Sequence, residues 1–236
     1  VNAVIEPLKV VITNFPEGQT DWIKGSYWPR DIDKDESREI PFTREIYIDR
    51  DDFREDPPKD FFRLSPGAEV RLRYGYFITC DDTIKDVDGN IVELHCSYDP
   101  ETRGGDAPDG RNPAGTIHWV SADHAIPAEI RRYNRLFNVP EPEADDADFA
   151  EHLNPDSLII SVGFVEPSVA DDPADTRYQF ERVGYFWRDP EDSTPDNLVF
   201  NQIVPLRDTW EEETEETESQ AQIERKRAQR EREKEL

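Results

Sequence analysis

The chain has 236 residues, 54 acidic against 28 basic, for a formal charge of −26. A surface of that sign repels phosphates through its bulk field, and no apolar run approaches the ~20 residues that a membrane-spanning helix needs. Aromatic residues make up 11% and recur at strand-like spacing, so the chain can anchor a core and is not disordered through most of its length.

In chain order the sequence reads as strand after strand. Val4 to Thr13 is rich in β-branched residues, and "REIYIDR" alternates Ile46 and Ile48 against Glu45, Tyr47 and Asp49. "EVRLRYGYFITC" (Glu69 to Cys80) reads as one strand, with Leu72, Tyr74, Tyr76 and Ile78 on one face and Arg71, Arg73 and Phe77 on the other. The turn Asp86–Asn90 then leads into "IVELHCSY", completing a hairpin that sets Cys80 nearly opposite Cys96. Without a visible secretory signal, free thiols are expected rather than a disulfide. "GTIHWVS", "SLIISVGFVE", "RYQFERVGYFWRD" and "LVFNQIVPLRD" supply further strands, and "PAEIRRYNRLF", where Pro127 can open a helix, fits strand alternation at Ala128, Ile130 and Arg132.

Many short strands separated by Gly and Pro turns predict an all-β fold of antiparallel barrels. The acidic loops Asp99–Pro113 and Val139–Pro155 suggest two modules, divided approximately as residues 1–112 and 113–210, with ends that can interleave. From Glu211 the chain has few apolar residues, and 211–236 is expected to be a charged tail, helical or disordered. With no Met at any position, the chain is expected to be a segment of a longer polypeptide.

No phosphate loop, G-x-S-x-G or H-E-x-x-H is present, so no catalytic residue and no metal site is expected; His118 and His124 read as core or surface histidines. Arginines beside aromatic rings suit recognition of unstacked bases, combining forked donors with flat stacking surfaces. Ion pairing with the many carboxylates is the alternative role for Arg71 and Arg73.

Longer blocks go further. "PLKVVITNFPEGQ", "REIPFTREIYIDRDDFREDPPKDFFRLSPGAEVRLRYGYFI", "DGRNPAGTIHWVSADHAIPAEIRRYNRLF" and "YQFERVGYFWRD…LVFNQIVPLRDTW" occur in order. Together they resemble the C-terminal anticodon-binding region of the glutaminyl-tRNA synthetase family over nearly all of residues 1–210. The resemblance implies two β-barrels that grip the three anticodon bases, with the ATP-dependent, magnesium-assisted catalytic domain lying outside this segment. No cofactor is then expected here. It also implies a monomer in the cytoplasm whose partner is the glutamine tRNA, with neither DNA nor a membrane as partner. Arg71 and Arg73 match the pair at the first base, Arg63 the arginine at the third, and Gln179 and Arg182 the pocket for the central uridine. Arg30 stands where an asparagine contact is usual, Phe62 replaces a frequent lysine and Asp60 a frequent glutamine. Tyr74, Phe62 and Trp28 are the candidate stacking surfaces. The alternatives are the equivalent region of an archaeal- or eukaryote-type glutamyl-tRNA synthetase, and a free-standing β-barrel RNA-binding module of the sort shared with one family of ribosomal proteins. The Lys-poor acidic surface suggests tuning to high salt, where the Debye length falls to ~3 Å near 1 M.

Overall fold

A computed structural model describes residues 1–29, 31, 33–104, 107–143 and 148–206. Arg30 and the 211–236 tail lie outside the described residues. Among the described residues there are fifteen strands: β1 (Ala3–Val4), β2 (Pro7–Ile12), β3 (Asp21–Ser26), β4 (Ser37–Phe42), β5 (Glu45–Asp49), β6 (Glu69–Leu72), β7 (Phe77–Lys85), β8 (Ile91–Asp99), β9 (Thr116–Ile117), β10 (Trp119–Ser121), β11 (Ile126–Tyr133), β12 (Leu158–Val165), β13 (Arg177–Phe180), β14 (Gly184–Arg188) and β15 (Leu198–Pro205).

These strands make two barrel-like sheets and one hairpin, as the all-β reading expects. The first sheet runs β10-β5-β2-β8-β7-β6-β9. Its two outer strands are one stretch of chain interrupted at His118, since β9 pairs with β6 and β10 pairs with β5. That stretch joins the two edges of the sheet. The second sheet runs β1-β12-β11-β15-β14-β13. There the backbone of Val1 exchanges hydrogen bonds with Gln179 and Glu181 beside β13, while Ala3 and Val4 pair with β12. Pairing is mostly antiparallel, but β2/β8, β6/β9 and β11/β15 are parallel, each joining strands remote in sequence.

Alternation explains the cores. Leu8, Val10 and Ile12 of β2 and Ile46 and Ile48 of β5 point inward with Trp119 and Phe42. A separate core holds Phe180, Phe186, Phe200 and Tyr178, with the Phe180 and Phe186 rings stacked at 4.3 Å. The β3–β4 hairpin gives Ile23, Ile40 and Phe42 to the first core.

Short chain segments cross between the two sheets. Ala3–Val4 belongs to the second sheet, whereas Thr116–Ser121 belongs to the first, so the 112/113 division separates β9 and β10 from the strands they pair with. The expected strand from Val4 to Thr13 is therefore broken. At the break, the N–H groups of Ile5 and Glu6 donate to Asp49 Oδ1 at 3.2 and 2.8 Å. Cys80 and Cys96 are directly opposed across β7 and β8, buried, with free thiols.

Two expected strands are hairpins. "EVRLRYGYFITC" turns back on itself: β6 pairs with β7 in the register Arg71↔Phe77, and Tyr74 takes a positive φ of 64°. Leu72 N–H donates to the Tyr76 carbonyl at 2.8 Å, and the Trp119 indole donates to the Arg73 carbonyl at 3.0 Å, which locks the turn. "RYQFERVGYFWRD" likewise folds into β13 and β14, with Arg182 at φ 66° in the turn. The simple alternation of Arg71 and Arg73 on one strand face is thereby corrected. Arg71 sits on the ladder with its guanidinium 5.0 Å over Phe77, and Arg73 sits in the turn.

The two barrels are joined by buried polar and aromatic contacts. Arg38 of β4, 6% exposed, forms an ion pair with Glu166, 1% exposed, through its Nε and, at 3.1 Å, through a terminal nitrogen. Tyr47 stacks on Phe164 at 4.6 Å.

Candidate nucleic-acid interface

The two corrected turns meet between the barrels. The Tyr74 hydroxyl lies 3.0 Å from Glu181 Oε1 and 3.2 Å from the Ser26 carbonyl. Arg73 Nε is 3.6 Å from Glu181 Oε2, with its guanidinium 4.7 Å over the Tyr74 ring. Burial first, and the neighbouring Glu181 carboxylate second, hold the Tyr74 phenol above its ordinary pKa. Both turn residues adopt the left-handed conformation that costs a non-glycine residue of order 1–2 kcal/mol. Such strain persists where surrounding contacts fix it, as Glu181 does for Tyr74 and Asp52 for Arg182.

A cleft of about 1540 Å³ opens beside these turns. Arg63, Arg73, Gln179 and Arg182, four of the residues that the resemblance assigns to the anticodon, line it together. Arg71 is not among the lining residues. Tyr74 is half-buried behind the cleft, its ring covered by Arg73 and approached by Arg38 at 5.4 Å. Phe62 is 67% exposed but is likewise outside the lining. Arg30 falls outside the described residues.

Flat surfaces are present in the lining all the same. Trp28, Tyr27 and Tyr185 are each more than two-fifths exposed there. Lys34 Nζ sits 3.9 Å from the centroid of the Trp28 ring, and the Trp28 indole donates to Glu36. A stacked base would have to share or displace that lysine.

The floor of the cleft is an ionic cluster built at the break between β9 and β10. His118 leaves the strand pairing there, and its buried ring sits between Asp49 and Arg182. His118 Nε2 is 2.6 Å from Asp49 Oδ2, while Nδ1 is 3.0 Å from an Arg182 terminal nitrogen. The arginine can only donate, so Nδ1 accepts and Nε2–H donates to Asp49. Arg182 also grips Asp52 with two nitrogens, at 2.5 and 2.7 Å. Arg63 approaches the same carboxylate at 3.4 Å and donates to the Asp51 carbonyl at 2.9 Å. Asp52 is 2% exposed and His118 3%.

The sequence reading missed Asp52, His118 and Glu181. The available signal was the break itself: a histidine inside the apolar "TIHWV", and the paired acids of "IDRDDF" directly after a strand.

Among the described residues the lining carries eight carboxylates and five arginines, so the cleft is not a positive funnel. What it offers is directed. A guanidinium has five N–H donors, and Arg182 spends three on Asp52 and His118. Two remain for a ligand, held in a fixed plane. Planar forked donors beside aromatic rings suit the edges and faces of unstacked bases.

Residues 1–99 and 116–189 each match a family described as "tRNA synthetases class I (E and Q), anti-codon binding domain". Glutamine–tRNA ligase of Nitrobacter hamburgensis is 55% identical over 208 residues, covering 88% of this chain and 37% of the relative. The same-named protein of Vibrio campbellii is 54% identical over 208 residues, with 88% and 37% covered. That of Rhodopirellula baltica is 50% identical over 210 residues, with 88% and 35% covered. The chain thus spans little more than a third of the length of these curated relatives. Two family matches covering both barrels, together with half or more of the residues shared with these ligases, show that the chain belongs to the anticodon-binding domain family of the class I tRNA synthetases for glutamate and glutamine.

Proposed function

We propose that the chain is the anticodon-reading part of a glutamine–tRNA ligase and that its ligand is the anticodon loop of the glutamine tRNA. The single observation that carries this reading is the convergence of Arg63, Arg73, Gln179 and Arg182, from three separate chain segments, on one cleft beside exposed Trp28 and Tyr185. Gln179 and Arg182 take the central uridine, Arg63 the third base and Arg73 the first. Arg71, on the ladder behind the turn, supports the first-base site from outside the cleft, and Arg30, outside the described residues, stands where an asparagine contact is usual. ATP and its magnesium belong to the full-length protein and are assigned to no residue of this chain. The protein acts as a cytoplasmic monomer.

Binding of the chain to the anticodon stem-loop of glutamine tRNA, against the same stem-loop carrying a glutamate anticodon, tests this reading. The glutamine loop is expected to bind at least about tenfold more tightly, as one well-made base contact provides. Preference for the glutamate loop would assign the chain to the glutamate enzyme. Equal binding would leave only a scaffold.

The surface is further proposed to be tuned to high salt. With 54 carboxylates against 28 basic residues, like-charge repulsion opposes the compact state until salt screens it. The thermal midpoint is expected to rise between dilute buffer and 2 M KCl. An unchanged or falling midpoint would remove the proposal.

A further inference from the structure

We propose that Asp52 is a positioning residue that couples the reading of two adjacent bases. The inference rests on the anticodon reading of the cleft and adds a residue which that reading does not contain.

Arg63 and Arg182 come from different modules and are 119 positions apart in sequence. Both guanidinium groups nevertheless meet on one carboxylate. Asp52 Oδ1 lies 2.7 Å from Arg182 and 3.4 Å from Arg63 Nε, and Oδ2 lies 2.5 Å from Arg182. The carboxylate is held in turn by its place in the short 3-10 segment Arg50–Asp52, just after β5, where the Leu64 N–H donates to the Asp52 carbonyl at 3.0 Å. That bond ties the Arg63 segment to the same turn. At 2% exposure, Asp52 is a buried charge whose position is set by the cations around it.

The consequence is geometric. A planar, bidentate grip fixes the orientation of the Arg182 fork, and the orientation of that fork decides which base edge its two remaining donors can meet. Arg63 leans on the same oxygen, so a shift of one arginine changes the charge balance seen by the other. If Arg182 reads the central base and Arg63 the third, Asp52 sets the spacing between two consecutive unstacked bases of one strand. His118 plays a narrower part. Its Nδ1 lies 3.0 Å from an Arg182 nitrogen and 3.7 Å from Asp52 Oδ2, whereas Arg63 approaches Oδ1, so it orients the central-base reader.

The test uses the full chain and four stem-loops: cognate, first-base variant, central-base variant and third-base variant. Asp52→Asn keeps the shape and removes the charge. It is expected to lower discrimination at both the central and the third base by about tenfold or more, the range of one base contact, while first-base discrimination holds. His118→Gln is expected to lower it at the central base only. A third measurement needs no RNA: the Arg63 Nε–Hε resonance should shift in Arg182→Lys and should not in Gln179→Ala.

A uniform loss of affinity for all four stem-loops in Asp52→Asn would make Asp52 merely structural and overturn the proposal. Loss at a single base, or an Arg63 resonance indifferent to Arg182, would also overturn it, since the two readers would then be independent. If the unaltered chain discriminates at no base while the Arg63 resonance still responds to Arg182, it is the anticodon reading that fails; the shared anchor stands but has no role in base reading.

Discussion

Replacing Glu166 with alanine is expected to destabilise the protein by about 3–5 kcal/mol, the usual cost of removing one partner of a buried ion pair. Glu166 is 1% exposed and uses both oxygens. Oε1 takes Arg38 Nε and the Ser168 hydroxyl at 2.6 Å, and Oε2 takes Arg38 at 3.1 Å and the Asn2 N–H at 2.8 Å. Without it, Arg38 keeps the Ser26 carbonyl at 2.9 Å and the rings of Tyr27 and Tyr74, but no carboxylate. The chain cannot return that guanidinium to water cheaply, because Arg38 stands on β4 between the two barrels. Urea unfolding should show a lower midpoint. Because the Asn2 contact anchors the start of β1 to the second sheet, the second barrel is also expected to lose cooperativity with the first. A loss below 1 kcal/mol would mean that water reaches the pair and that the barrels are joined mainly by Tyr47 on Phe164.

The second large effect concerns recognition. Arg182→Ala is expected to cost about 1–3 kcal/mol against the cognate anticodon and little against a loop with the central base changed. The specificity arises because the guanidinium is held before the ligand arrives. Its grip on Asp52 and His118 leaves two donors in a defined plane, so little side-chain entropy is lost when a base docks. Removing Arg182 also leaves Asp52 with the longer contacts to Arg63 at 3.4 Å and the His118 ring at 3.7 Å, so the stability of the protein should fall as well. Binding and unfolding must therefore be measured together. Equal loss of affinity for both loops, after correction for the folded fraction, would make Arg182 a structural link between the barrels.

The sequence carried the fold class because period-2 alternation and turn residues are local. Ile46 and Ile48 point inward as the alternation requires, and the Asp86–Asn90 turn sets Cys80 against Cys96. Alternation has no means of showing where a strand doubles back without a Gly–Asn or Pro–Gly signal. The turns at Arg73–Gly75 and Glu181–Val183 are closed by side-chain and backbone contacts to remote residues, Trp119 and Glu181 for the first and Asp52 for the second, so both stretches read as continuous strands. The barrel swap at Ile5–Glu6 was hidden for the same reason, since Asp49 stabilises it from 43 and 44 residues away.

The site was legible unevenly. Arg63, Arg73, Gln179 and Arg182 were found through resemblance to a family, and the cleft brings them together. The carboxylates that hold them were not found. Among 54 acids, the paired acids after β5 are a faint mark in sequence; what distinguishes Asp52 is its burial between two arginines from different modules, a property of the folded chain.

The cleft lining carries more carboxylates than arginines, so little of the binding can come from release of counterions. The most direct test is binding of the chain to the glutamine-tRNA anticodon stem-loop, and to the same loop with its central uridine changed, at low and at high KCl. The account predicts a shallow salt dependence, with the cognate loop favoured at both concentrations by a ratio that salt hardly changes. Binding that ignores the central base at either concentration, or that falls with salt as steeply as a positively charged groove would, contradicts it.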